Sequence, residues 1–236
     1  MSQSLPTFVD YLEAFNRKER FFVVAAATGA VQGDKAAFQL SQAFRDELGR
    51  AVGFQIPGHA FGFMDYHLDW LHAAAALTKR GAGWPDGALS QPPPVPGKPH
   101  VDTISTGNQE DIDLIVAFEQ NGGVEVILVE AKAETGWTNS QLNSKAPRLA
   151  AIFGADGSSV PGVRPTFCLW SPKDTIGLNY ADWPSWCRAD GRHAWMELRV
   201  PEGRRQVFGC DETGRPSRLR AYWSASLPSK SVVSKD

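Results

Sequence analysis

The chain holds 236 residues, with 24 lysines and arginines against 26 aspartates and glutamates and 42% hydrophobic residues. A chain of this length can bury a core without covalent staples, and three scattered cysteines (Cys168, Cys187, Cys210) exclude a disulfide framework or a four-cysteine zinc site. The longest apolar stretch, Phe21 to Ala27, falls short of the roughly 20 residues of a membrane span, and the N-terminal MSQSLPTFVDYLEAFNRKER lacks the apolar run of a secretory signal, so a cytoplasmic location and no membrane partner are expected.

The first predicted element is a helix in TFVDYLEAFNRKERFFVVAAATG. Phe8, Leu12, Phe15, Phe22, Val23 and Ala26 recur at three- and four-residue steps and form one stripe, with Gly29 as a stop. Glu19 falls within that stripe, whereas Arg17, Lys18 and Arg20 point elsewhere. A carboxylate there must be paired, protonated or bound to a metal. A second helix is expected from Ser41 as N-cap through SQAFRDELGRAV, burying Phe44 and Leu48. A third is expected from about Met64 to Thr78, which would put Asp65, Asp69 and His72 on one face, as a polar packing network or a metal-binding group. Six prolines between 85 and 99 then make an extended connection.

After His100 the pattern becomes β-rich. DIDLIVAFEQ and VEVILVEAK flank Asn121-Gly122, the strongest short-range hairpin signal. A helix is expected in TNSQLNSKAPRLAAIFG, capped by Thr138 or Asn139, with Pro147 kinking it or delaying its start. PTFCLW reads as a buried strand. AWMELRV, RQVFGC and RLRAYW read as a C-terminal meander of two or three strands. The expected organisation is α/β: a helical N-terminal part over 1–80, a proline-rich connection over 81–99, a core with the terminal strands over 100–227, and a flexible tail over 228–236.

Charge is unevenly distributed. Residues 1–100 carry 9 basic and 9 acidic groups, residues 101–135 carry 8 acidic and one basic, and residues 136–220 carry 12 basic and 8 acidic. The acidic segment coincides with the hairpin. A two-residue turn pairs Gln120 with Gly123, and counting back puts Asp113 opposite Glu130 and Asp111 opposite Lys132. Opposed residues project to one face, and strand alternation adds Lys132 to the face of Glu130. Two carboxylates this close repel unless a cation lies between them, and hard oxygen ligands suit Mg²⁺ or Mn²⁺. An ordinary solvent-facing strand end with a Glu–Lys pair is the alternative. On the following helix, Gln141, Lys145 and Arg148 share a face, either as a solvated surface or as phosphate contacts.

A helix with an acidic residue, a hairpin bearing Asp113 and Glu130-Ala131-Lys132, and then a helix and a strand resemble the PD-(D/E)XK nuclease superfamily over roughly residues 100–172. The resemblance implies a restriction endonuclease-like core, a mixed sheet with a central antiparallel hairpin flanked by helices. It implies a Mg²⁺- or Mn²⁺-dependent nuclease, an endonuclease acting on DNA and able to work as a homodimer. Asp113, Glu130 and Lys132 would be catalytic, with Asp113 and Glu130 as metal ligands. Glu19 would be the helical acid, with Glu47, Asp65 or Asp69 as alternatives. Gln141, Lys145 and Arg148 would contact nucleic acid, and Arg204, Arg205, Arg215, Arg218 and Arg220 would hold the backbone. No proline precedes Asp113, and Lys145 stands where several exonuclease-like members carry a tyrosine. A non-catalytic nucleic-acid or protein-binding module on the same fold is a second expectation. A nucleotidyltransferase using Asp111 and Asp113 is a third, weakened because STGNQE is a poor substitute for the Gly-Ser turn expected ahead of such a pair.

Overall fold

The computed structural model describes residues 5–15, 21, 23–24, 31–32, 35–36, 38–81, 110–133, 137, 142, 145–174, 178–188, 191–199 and 206–226. Glu19, Gln141, Gly29, Thr138, Asn139, Arg204, Arg205, nearly all of the proline-rich connection and the C-terminal tail lie outside them. The chain divides into two compact units, Met1–Leu198 and Arg199–Asp236.

In the first unit, helix α1 (Phe8–Phe15) opens with a reciprocal cap. The Asp10 N–H donates to Thr7 Oγ1 at 3.3 Å and the Thr7 N–H donates to Asp10 Oδ2 at 2.7 Å, so two donors that the helix cannot satisfy find partners. Short strands β1 (Val31–Gln32), β2 (Lys35–Ala36) and β3 (Phe38–Gln39) follow. Helix α2 (Gln42–Val52) begins as its sequence predicts, with Ser41 Oγ accepting from the Phe44 N–H at 3.2 Å, and ends at Gly53 in the left-handed region.

The helix expected from Met64 does not start there. Phe61–His67 is strand β4, and helix α3 occupies Leu68–Arg80. The cause is long-range. β4 pairs antiparallel with β5 (Asp111–Gln120) through Phe61↔Ala117, Phe63↔Ile115, Met64↔Leu114 and Tyr66↔Ile112, and no local periodicity reports such a pairing. Phe63 and Tyr66 are buried in the core, and the Tyr66 hydroxyl donates to the Leu12 carbonyl at 3.1 Å, which ties α1 to the sheet. Asp65, Asp69 and His72 therefore do not share a helix face, because Asp65 belongs to the strand.

β5 and β6 (Gly123–Ala131) form the expected hairpin, with the ladder running from Gln120↔Gly123 to Leu114↔Val129. Helix α4 (Lys145–Phe153) has Pro147 in its first turn, where a missing N–H costs least. It leads to β7 (Val163–Ser171), parallel to β6. β8 (Ala194–Glu197) adds parallel to β7, after a single 3₁₀ turn at Ser185–Cys187. The mixed six-stranded sheet has the order β3-β4-β5-β6-β7-β8.

Helices cover both faces of this sheet. On one face Phe8, Leu12, Leu71, Leu149 and Phe153 pack with Ile115, Ala117, Val126 and Leu128. On the other, Leu48 packs with Val116, Phe118, Ile127, Val129, Cys168 and Met196, with Phe44 alongside. Each fully buried large apolar side chain contributes about 1.5–3 kcal/mol. The near-continuous apolar runs of β5 and β6 follow from burial on both faces. Among the described residues, no helix is long and apolar enough to cross a membrane.

The second unit contains β9 (Gln206–Cys210) and β10 (Tyr222–Ser226), an antiparallel pair with Cys210↔Tyr222 and Trp223↔Gly209 in register. Of the expected C-terminal meander of two or three strands, two form an antiparallel hairpin. AWME joins the main sheet in parallel, and only the later two strands pair with each other. Strand composition identifies the strands but does not specify their partners.

The hairpin turn yields a test. Asn121 and Gly122 both have positive φ, at 52° and 71°, the geometry of a tight two-residue turn. Gly122→Ala should cost about 1–2 kcal/mol from the left-handed backbone alone. A Cβ at Gly123 would lie 2.7 Å from the Gly162 carbonyl oxygen, so Gly123→Ala must move backbone and should lower the urea midpoint further. Equal midpoints for the two variants would contradict this close approach.

Candidate active site

The ends of β4, β5 and β6 bring acidic side chains together. One step beyond the last Leu114↔Val129 pair, the register of the hairpin carries Asp113 opposite Glu130. There the Asp113 side chain takes over the ladder, its Oδ2 accepting the Ala131 N–H at 2.7 Å. From the other side, β4 brings Asp65 between the pairs Met64↔Leu114 and Tyr66↔Ile112, with a positive φ of 47°. Burial raises the Asp113 pKa, and the charges of Asp65 and Asp111 raise it further against the lowering effects of the Ala131 N–H and Lys145.

Among the described residues Glu130 is the most confined carboxylate, only 5% exposed. Burial, with help from the charges of Asp113 and Glu110, pushes its pKa from the ordinary 4.5 to about 7, even though Lys145 acts in the opposite sense. Lys145, the first residue of α4, donates through Nζ to Glu130 Oε1 and to the Asp111 carbonyl at 2.5 Å. One turn on, Arg148 bridges Asp69 of α3 and Glu110, reaching Glu110 Oε2 at 3.0 Å. His67 Nδ1 stands 3.3 Å from Asp111 Oδ1, and the His67 ring packs on Trp70 at 4.5 Å between centroids.

The expected residues are thus distributed as follows. Asp113 and Glu130 come together at the end of the hairpin. Lys132 lies one residue beyond the end of the strand that carries Glu130, its ammonium 5.4 Å over the Trp137 ring, and the cation seated on Glu130 is Lys145. Arg148 reaches acidic partners in the same cluster. Asp111 faces His67 across the β4–β5 ladder. Asp65, only an alternative on sequence grounds, is adjacent to Asp113. His67 carried no sequence signal. Its position follows from the β4–β5 register, whose strands are separated in sequence by α3 and the proline-rich stretch.

Six carboxylates, Asp65, Asp69, Glu110, Asp111, Asp113 and Glu130, are linked through these contacts and fields, with Lys145 and Arg148 among them and His67 beside Asp111. Asp113 and Glu130 are driven toward the neutral form first by burial and then by neighbouring carboxylates, a cost that a bound cation would offset. Their oxygens suit a hard divalent ion. Mg²⁺ commonly uses only one or two carboxylates and completes its shell with water or phosphate, so a two-carboxylate site fits it chemically. Among the described residues, no three His, Cys, Asp or Glu side chains are grouped to share one ion.

The buried Glu130 predicts a pH dependence of stability. Below about pH 4.5 it is protonated in both folded and unfolded chains. As pH rises from about 4.5 to about 7 the unfolded chain releases the proton while the folded chain retains it, so folding loses about 3 kcal/mol, a cost that persists above pH 7. Glu130→Gln removes this term. Urea unfolding in EDTA should show the variant gaining on the parent by about that amount across the interval. A stability difference that does not change with pH would show that the ionised form is not disfavoured.

No family model, curated protein or solved structure matches the chain.

Proposed function

We propose that the chain is a divalent-metal-dependent nuclease that hydrolyses phosphodiester bonds, with DNA as the expected substrate, on a restriction endonuclease-like core. The observation that carries this reading is the meeting of Asp113 and Glu130 at the open end of the β5–β6 hairpin, both raised in pKa and amid an excess of carboxylates. The order of three antiparallel strands, a helix and then a parallel strand supports it, because it matches the hairpin–helix–strand pattern of the PD-(D/E)XK superfamily.

Asp113 and Glu130 would hold Mg²⁺ or Mn²⁺. A bound ion supplies Lewis acidity, lowering the pKa of a water and offsetting charge on the phosphate. The residues of the chain do the remainder. The Ala131 N–H fixes the Asp113 carboxylate and leaves its second oxygen for the ion. Lys145 orients Glu130 and anchors the start of α4 to β5. Lys132, immediately beyond the strand that carries Glu130, is assigned by the resemblance to orienting the attacking water. Its stacking on Trp137 means that it must swing off the ring to do so. Arg148 holds α3, α4 and Glu110 together, so its contribution is to the shape of the site.

Incubation with single- and double-stranded DNA and RNA in Mg²⁺ or Mn²⁺ should reveal cleavage that EDTA abolishes. Asp113→Ala and Lys132→Ala should each reduce it by about a hundredfold or more, the scale of losing one charge-stabilising group. If both variants cleave as well as the parent, the assignment is wrong.

A second reading, a non-catalytic binding module on the same core, is favoured by one observation: Lys145 already supplies Glu130 with a counter-charge. Calorimetry with Mn²⁺ separates the two. Heat that disappears in Glu130→Gln supports the nuclease, whereas no binding by the parent supports the module.

A further inference from the structure

The second unit carries its own surface chemistry. Residues 199–236 hold eight basic and four acidic groups. Seven large apolar side chains are exposed among the described residues, and four belong to this small hairpin: Val207 (67%), Leu219 (89%), Tyr222 (56%) and Trp223 (75%). A two-stranded hairpin cannot bury such groups within itself, and a cluster of this kind marks a surface that meets a partner.

The backbone sets two of them, Val207 and Trp223, on one face of the hairpin. Trp223 is directly opposite Gly209, and Val207 opposite Ala225, so these positions share a face. The connection between the strands folds back over β9. The Ser217 N–H donates to the Gly209 carbonyl at 3.1 Å, and Pro216 bridges to Cys210. As a result the stem of Arg220, held at a positive φ of 48°, fills the space that a side chain at position 209 would take, beside Trp223. A hollow of about 460 Å³ lies next to it, lined by Val207, Gly209, Arg218 and Arg220 with their neighbours. Of the two acids on this connection, Asp211 and Glu212, the first is occupied: Asp211 Oδ1 accepts from the Thr213 N–H and hydroxyl and from the Arg215 N–H, at 2.7–3.1 Å, and closes the turn.

We infer that the β9–β10 face is a binding surface for single-stranded nucleic acid, with an unpaired base stacking on Trp223 and the adjoining phosphates held by Arg218 and Arg220. The choice of occupant rests on charge and shape. Two copies of a basic face repel each other, while a polyanion complements it. A base offers its flat π-face only when unpaired, because in a duplex both faces are covered by neighbours. An exposed indole on the same small hairpin as Arg218 and Arg220 is therefore matched to a single strand. The inference is independent of the hydrolytic site.

Fluorescence anisotropy of the full chain with a labelled oligothymidylate, and with a duplex of the same length, tests it in EDTA, which keeps cleavage out of the measurement. An inactive chain can still pass, and an active one can still fail. The parent should prefer the single strand. Trp223→Ala should weaken that binding by about five- to a hundredfold with little effect on the duplex, and Trp223→Phe should restore most of it. Replacing Arg218 and Arg220 together by alanine should lower the slope of log affinity against log salt by about 1.4. An oligothymidylate affinity within about twofold of the parent for Trp223→Ala, or no binding by the parent, would overturn the inference. So would a change from dimer to monomer on sedimentation of Trp223→Ala with its oligothymidylate affinity intact.

Discussion

A carboxylate almost out of water has to be neutralised, and in this chain Glu130 is the group around which that requirement is met. It sits at the end of an apolar strand buried on both faces, so no rotation of its short side chain returns it fully to solvent. The structure answers with Lys145, delivered by the first turn of α4, and the same ammonium holds the Asp111 carbonyl. The start of α4 is therefore fastened by charge to the end of the hairpin. The packing of Leu149, Ile152 and Phe153 against the sheet then follows from a helix whose start is already set.

A second ring of charge surrounds the first. Arg148 ties Asp69 of α3 to Glu110, just ahead of β5, and joins three segments distant in sequence. The two cations of α4 lie three residues apart on one face and serve different acids, so the helix acts as a charged wedge between carboxylates that would otherwise repel. Asp113 has its pKa raised first by burial and then by the charges of Asp65 and Asp111, against the Ala131 N–H and Lys145. Pairs of partly compensated carboxylates recur where a protein binds a cation or moves protons, because the same desolvation that is costly for folding strengthens every interaction formed there.

The near-neutral total charge of the chain conceals two opposite chemistries. Acidic groups concentrate around the hairpin, and basic groups dominate beyond it. The C-terminal hairpin adds exposed aromatic surface to that basic character. Under the proposed reading these are complementary tasks, since a metal-holding cluster must be acidic and a surface that grips a phosphate backbone must be basic.

What the sequence by itself determined was local. Asn121-Gly122 has one compact solution, and that turn dictates the β5–β6 register and hence the meeting of Asp113 with Glu130. Ser41 and Gly53 likewise bound α2 through backbone groups only a few residues away. The tertiary structure decided whatever depends on a partner far along the chain. FGFMDYH became a strand because β5 offered it a ladder, which brought Asp65 and His67 to the site. AWME left the expected meander because β7 offered a parallel edge, and Lys145 rather than Lys132 came to rest on Glu130 because α4 packs back across the hairpin. Periodicity and turn chemistry act over a few residues, whereas strand partners and buried ion pairs are chosen by which distant surfaces gain most from being removed from water.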